Sequence, residues 1–274
     1  MDIETEHSMT EALEFALETA RRAGGLLREF CTASQRHTVK HKSTEIDLVT
    51  EADLASEQLI VDAIRARFPD HAILSEEGLG DLQAATSEAP CLWLVDPLDG
   101  TVNYAHGFPV WGLTLAMAHW GQVVLGVTYD PLLDEMFWAG RGQGAWCNGR
   151  RLHVSAASRL QEALLATGFA YNRATVADNN LAEFNAVVLR AQGVRRAGSA
   201  VLDLAYVAAG RLDAYWEMYL QPWDWAAGWL LVEEAGGMVT GLYGESWSLE
   251  KTNLVASNGS IHEELLATLQ GARR

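Results

Sequence analysis

Apolar residues recur at helical spacing near the start of the chain, at Leu13, Ala16, Leu17, Ala20, Gly24, Leu27 and Phe30. That period predicts an amphipathic helix to about Cys31, and Ser8-Met9-Thr10-Glu11 has the form of a capping box that would open it. A polar stretch follows through Lys42. Thr50-Glu51-Ala52-Asp53 repeats the capping form, with Ala55, Leu59, Ala63 and Ile64 as the stripe behind it, so a second helix is expected from near residue 51. The pattern then shortens. Apolar runs at 72–74 and 92–95 read as buried strands that end in acidic residues, Ser75-Glu76-Glu77 and Asp96. Residues 110–119, 122–129 and 135–139 read as sheet strands separated by Gly121 and Asp130-Pro131, and Asn148-Gly149 predicts a tight turn.

The second half alternates more regularly. Strands are expected near 163–167, 194–197, 212–217, 238–240 and 253–256, and helices near 178–192, 199–209, 224–235 and 260–269. No low-complexity linker or internal repeat divides the chain. The expectation is one domain, 1–274, with subdomains of roughly 1–155 and 156–274.

Composition narrows this picture. With 49% hydrophobic and 20% charged residues, the chain can bury a sizeable core. Five of its ten tryptophans, Trp93, Trp111, Trp138, Trp225 and Trp229, sit in apolar surroundings and read as core. Cys31, Cys91 and Cys147 are odd in number and widely spaced, which fits neither a disulfide framework nor a zinc cluster. The N-terminal residues are acidic without an apolar signal core, and no apolar run approaches the ~20 residues needed to cross a bilayer. A cytoplasmic protein with no membrane partner is expected. The formal charge of −16 argues against nucleic acid as a ligand. It would also repel an anionic metabolite unless the site recruited cations.

The segment Trp93-Leu94-Val95-Asp96-Pro97-Leu98-Asp99-Gly100-Thr101 is the richest in chemistry. A β-run leads into two aspartates three residues apart. Proline fixes one backbone angle between them, and glycine lets the main chain approach a ligand closely. Two like charges ~4 Å apart repel by roughly 4 kcal/mol at an effective dielectric of 20, and a divalent cation between them reverses the sign. Hard oxygen donors without nearby His or Cys favour Mg²⁺ over Zn²⁺. The plain alternative is an Asp-Pro turn followed by Asp-Gly.

Asp96-Pro97-Leu98-Asp99-Gly100-Thr101 resembles the signature of the inositol monophosphatase family. Asp47-Leu48-Val49-Thr50-Glu51-Ala52-Asp53 resembles the family's upstream D-x-V-T-x-x-D segment. Ser75-Glu76-Glu77 resembles its G-E-E segment, with Ser in place of Gly, and Trp223-Asp224-Trp225-Ala226-Ala227-Gly228 resembles its W-D-x-A-G motif. Gly126-Val127 with Asp130-Pro131, and Gly142 to Gly149, fall in the same order, so the similarity spans roughly residues 10–260.

The resemblance implies an α+β fold, a layered αβαβα sandwich, holding two or three Mg²⁺ ions. Glu76, Asp96 and the Leu98 carbonyl would hold one metal; Asp96, Asp99 and Asp224 would hold a second. A carboxylate shared between two ions suits in-line phosphoryl displacement. Thr101, hydrogen-bonded to Asp53, and Glu76 would orient a water and accept its proton. The Gly100 and Thr101 amides would grip phosphate oxygens. Lys42 takes the place of a family lysine near the metals. Asp99, Gly198, Ser199, Ala200, Glu217 and Asp224 would contact the substrate. Glu217 can accept from a ring hydroxyl or pair with an ammonium group. Each acid also has a plainer reading: Asp53 as a capping-box residue, Asp224 in a helix first turn, Glu76 as a solvated acid, and Asp213 and Glu217 as strand flanks.

The expected reaction is Mg²⁺-dependent hydrolysis of a small phosphorylated metabolite by an activated water. Inositol monophosphate leads as substrate and histidinol phosphate follows; fructose 1,6-bisphosphate, nucleotide 3′-phosphates and the NADP phosphate come after. Lithium sensitivity and a homodimer follow from the resemblance alone. A haloacid-dehalogenase-type phosphatase would place its aspartates two apart, not three. A regulatory binder on the same fold is the reading from a different class, and the complete set of acids argues against it.

Overall fold

The computed structural model describes residues 3–33, 39–41, 48–78 and 90–273. Lys42 and Asp47 lie outside the described residues. Helix α1 spans Ile3–Ala33. It therefore begins before Ser8, and the first expected capping box is not its start. A capping sequence permits a helix start without requiring one, and α1 runs through it. Helix α2, Glu51–Arg67, does start at its capping box: Ala52 N donates to Thr50 Oγ1 (3.2 Å) and Thr50 N donates to Asp53 Oδ2 (2.8 Å).

Strands β1 (Val39–His41) and β2 (Leu48–Thr50) form a small antiparallel pair ahead of α2. A seven-stranded sheet follows in chain order: β3 (Ala72–Ser75), β4 (Cys91–Asp99), β5 (Gly112–His119), β6 (Gln122–Asp130), β7 (Glu135–Gly140), β8 (Gly144–Cys147) and β9 (Arg150–Arg151). Only β3 and β4 pair in parallel. The Asn148-Gly149 turn joins β8 to β9 with positive φ at both residues, the conformation a two-residue hairpin requires.

The second sheet has the order β11-β10-β12-β14-β13 by position, from β10 (Leu164–Thr167), β11 (Gly193–Arg195), β12 (Ala214–Glu217), β13 (Met238–Thr240) and β14 (Leu254–Ser257). Between the sheets lie helices α5 (Ala200–Ala208) and α6 (Pro222–Glu234), and the short α3 (Thr101–Ala105) follows β4. Helices α4 (Leu181–Val188) and α7 (His262–Gly271) cover the outer face of the second sheet. The layers are thus α1/α2, sheet, α5/α6, sheet, α4/α7: the αβαβα sandwich.

Alternating side chains explain the stacking. Along β4, Trp93 and Val95 enter the core under α1 and α2, whereas Leu92 and Leu94 enter the core against α5 and α6. Along β12, Ala214 and Trp216 face the outer helices while Tyr215 faces inward. Strands buried on both faces read as continuous apolar runs, as the sequence showed. Trp93, Trp111 and Trp225 are fully buried, and Trp138 and Trp229 pack at the core margins.

Helix α4 is shorter than the expected 178–192. Asn180 takes a left-handed backbone (φ 67°) and is buried, with its Nδ2 donating to Thr167 Oγ1 (2.8 Å) and Gly168 O (2.7 Å) and its Oδ1 accepting from Trp216 Nε1 (2.7 Å). That anchoring fixes where the helix begins. Among the described residues no helix is long and apolar enough to cross a membrane.

Candidate active site

The end of β4 is phased by a bulge. Asp96 pairs with Thr114 and Asp99 with Gly112, so three steps on β4 match two on β5. In a regular strand, residues three apart face opposite sides of the sheet. The extra residue, beside Pro97, cancels that phase and brings both carboxylates to one cavity. Parallel pairing of β3 with β4 adds a third acid. Ser75 lies opposite Val95, and Glu76 N donates to Val95 O (3.1 Å), which sets Glu76 beside Asp96, close enough for their carboxyls to hydrogen-bond. The fourth acid comes from the middle layer. Pro222 opens α6, and Asp224 caps it by accepting from Gln221 N (2.7 Å).

Helix α2 props this loop from behind with residues on one face. Asp53 Oδ1 accepts from Thr101 Oγ1 (2.9 Å), Ser56 Oγ donates to Pro97 O (2.8 Å), and Glu57 accepts from Ser75 Oγ. The Ser75 hydroxyl, where the family motif carries glycine, is thus tied to α2. Thr101 Oγ1 also lies 3.1 Å from Leu98 O. On the other side, Ser199 caps α5 and donates to Asp99 Oδ2 (2.5 Å), which also accepts from Val201 N (3.1 Å).

These elements line a cavity of about 920 Å³. Glu76, Asp96, Leu98, Asp99, Gly100, Thr101, Gly198, Ser199, Ala200, Glu217 and Asp224 all reach it; Asp53 stands one shell back, behind Thr101. Asp213 is elsewhere, accepting from Ser155 Oγ and Leu164 N at the strand's edge, the flanking role its plainer reading gave it. Profile comparison places residues 8–274 within the "Inositol monophosphatase family". The chain belongs to the inositol monophosphatase family. It is 46% identical to "Nus factor SuhB" of Pseudomonas aeruginosa, covering 96% of this chain and 97% of that protein. It is 42% identical to "Inositol-1-monophosphatase" of Synechocystis sp., covering 94% and 88%. Among solved structures it matches the inositol monophosphatase from Anabaena (Nostoc) sp. with a TM-score of 0.85, 42% identity, and coverage of 96% and 97%. The inositol monophosphatase family is one of phosphatases, generally metal-dependent, acting on small phosphorylated substrates, and this chain is accordingly an enzyme of phosphate ester hydrolysis.

The electrostatics of this inositol monophosphatase fold suit a cation. Burial first, then repulsion from Glu76, Asp99 and Asp224, pushes the Asp96 carboxyl well above its usual range. Asp224 is raised by burial and by Glu76 and Asp99. Burial raises Asp99 to about 6 despite the hydrogen bonds from Ser199 and Val201. Three buried aspartates with raised carboxyls, joined by Glu76 and a carbonyl and by no thiolate or imidazole, are a donor set for a hard divalent ion. Among the described residues no three acidic, His or Cys side chains stand close enough together, as they are oriented, to hold a metal ion. Each aspartate instead has one oxygen committed to a backbone amide: Leu98 N for Asp96, Val201 N for Asp99 and Gln221 N for Asp224.

Several lining residues escaped the sequence reading: Arg173, Arg196, Asp203 and Gly168. Glu217, held up at about 7 chiefly by burial, accepts from the Tyr215 hydroxyl, and its carboxyl lies where any side chain on Gly168 would stand. Asp203 is buried and raised well above its usual range by burial, then by Glu217 and Asp99. The Arg195-Arg196 pair, one residue before Gly198-Ser199, was the available sequence signal for a cation in the cavity.

Proposed function

We propose that this protein is a Mg²⁺-dependent phosphomonoesterase of small hydroxylated metabolites, with inositol monophosphate as the leading substrate. The observation that carries this reading is the convergence of Glu76, Asp96, Asp99 and Asp224, from the ends of β3 and β4 and the start of α6, on one cavity. Glu76, Asp96 and the Leu98 carbonyl would hold one Mg²⁺, and Asp96, Asp99 and Asp224 a second. Bound there, divalent ions would offset phosphate charge and acidify a water.

The chain's own groups do the rest. The Thr101 hydroxyl directs its proton toward Asp53 or Leu98 O, which leaves an oxygen lone pair to accept from the attacking water. Glu76, at the cavity wall, takes the water's proton as the ester P–O bond breaks, and the departing alkoxide is protonated from solvent to leave as the free alcohol. Gly100 has φ +86° and no side chain, so the Gly100 and Thr101 amides can approach phosphate oxygens; α3, five residues long, adds little dipole. Ser199, Ala200 and Glu217 face the organic part of the ester. Family membership supports a homodimer and inhibition by Li⁺. The reading also includes a cytoplasmic location and two subdomains meeting near residue 155, between the last strand of the first sheet and the first of the second.

A second reading is favoured by one relative's name: the P. aeruginosa protein is called a Nus factor, and a role of that kind can coexist with hydrolysis. The deciving experiment for the first reading is phosphate release with and without Mg²⁺ from inositol 1-phosphate, histidinol phosphate, fructose 1,6-bisphosphate, a nucleotide 3′-phosphate and NADP. The expected result is Mg²⁺-dependent turnover with the largest kcat/KM on inositol 1-phosphate. No turnover on any of them would leave the Nus-factor reading standing alone.

A further inference from the structure

The segment between β11 and α5 is held in place by side-chain hydrogen bonds. Asn103 Nδ2 donates to Val110 O (2.6 Å) and to Ala197 O (2.8 Å). Gly198 has φ +90°, and a β-carbon there would lie 2.5 Å from Arg196 Nη1. The Arg196 guanidinium therefore folds over the bare α-carbon of Gly198 and joins the cavity lining with Asp203 and Glu217. Glu217 is fixed independently, by the Tyr215 hydroxyl and by the space that Gly168 leaves. Arg196 attracts both Glu217 and Asp203, yet among the described residues it forms no ion pair within 4 Å with either. A set of donors and an acceptor thus face one cavity without being consumed by each other.

A hydroxyl group can donate one hydrogen bond and accept another, so it can bridge a guanidinium and a carboxylate. An ammonium group has three donors and no lone pair, so it can satisfy Glu217 but cannot accept from Arg196, which also repels it. Sites built to hydrogen-bond a particular group discriminate strongly against ligands that leave a buried partner unpaired. We propose that Arg196 is a specificity-determining residue which, with Glu217, selects phosphate esters presenting a hydroxyl and rejects those presenting an ammonium group. This rests on the phosphatase reading above and resolves the two roles that Glu217 alone left open.

The test compares glycerol 3-phosphate with its 1-amino-1-deoxy analogue, a pair that differs only in hydroxyl versus ammonium, by kcat/KM at saturating Mg²⁺. The wild-type enzyme should favour the hydroxyl ester by at least about 10-fold, mainly through KM. Arg196→Gln should compress that ratio by about 10-fold or more, and Arg196→Lys, which keeps the charge, should retain most of it. The thermal midpoint of each variant checks that it folds. An unchanged ratio in a folded Arg196→Gln enzyme would overturn the assignment while leaving the phosphatase reading intact. A wild-type ratio near 1 would likewise overturn the assignment alone, whereas absence of Mg²⁺-dependent turnover of both esters and of every ester in the wider panel would overturn the phosphatase reading with it.

Discussion

The two walls of the cavity are built differently. The acid wall comes from the ends of regular elements: β3 delivers Glu76, the bulged β4 delivers Asp96 and Asp99, and α6 delivers Asp224 from its capping position. The facing wall comes mainly from connecting segments: 168–173 after β10, 196–199 before α5 and 218–221 after β12, with Thr167, Glu217, Ala200, Asp203 and Trp223 on a strand or helix. Elements set by hydrogen-bond ladders hold charged groups against their mutual repulsion. Loops on a rigid scaffold can change which ester is accepted without disturbing that arrangement. On the proposed reading, the reaction type resides in one wall and the selectivity in the other.

Substitutions in the acid wall should separate most clearly from those in the facing wall. Asp99→Asn should lower kcat by at least ~100-fold, the scale of losing a metal-positioning group, without lowering the thermal midpoint of the metal-free protein, because a repelling charge is gone. Thr101→Ala should lower kcat by about 10²-fold with little change in KM, and Thr101→Ser should restore most of it. Equal losses in KM and kcat would show Thr101 to be a binding residue instead.

The joint between the walls should be measurable as stability. Gly228 packs α6 against α5, and a β-carbon there would lie 2.5 Å from Leu204 Cβ. Gly228→Ala should cost about 1–3 kcal/mol of unfolding free energy by denaturant titration. A neutral result would mean that the helices separate freely.

The smallest expected effects are opposite pH slopes. Burial pushes the Asp99 carboxyl up to about 6 in the fold, above its ordinary 3.8 in the unfolded chain, so the folded state holds the proton longer. Its stabilising contribution is present below pH ~4 and is lost as pH rises through 6 in metal-free protein. Mg²⁺ should therefore raise the thermal midpoint most above pH 6 and least below pH 5. His262 behaves the other way. It is buried between Ser257 Oγ and Thr240 Oγ1, and burial lowers its pKa below 6.5. Its contribution is complete above about pH 6.5 and declines as pH falls below that, and His262→Gln should flatten this slope.

The same division governs how much the sequence revealed. Strand and helix positions were legible because both faces of each sheet are buried, so Leu92, Trp93, Leu94 and Val95 form an unbroken apolar run ending at Asp96. The acids were legible because capping boxes and strand ends mark where side chains leave the core. The bulge that turns Asp96 and Asp99 to one side was visible only as a proline between them. Asp203 falls in the first turn of a helix, where an acid needs no special explanation, and only packing shows it buried in the cavity. Gly168 has no turn signature; its need arises from Glu217, a residue 49 positions away across the β10–β12 pairing. The capping box at Ser8 misled because a capping sequence permits a helix start without requiring one.

On the proposed reading, four carboxylates from three separate segments share divalent ions. An anomalous difference map from a crystal soaked in Mn²⁺ would locate those ions. Peaks are expected within bonding distance of Glu76, Asp96, Asp99 and Asp224. Peaks only at other acidic residues, with those four carboxylates bare, would remove the metal assignment.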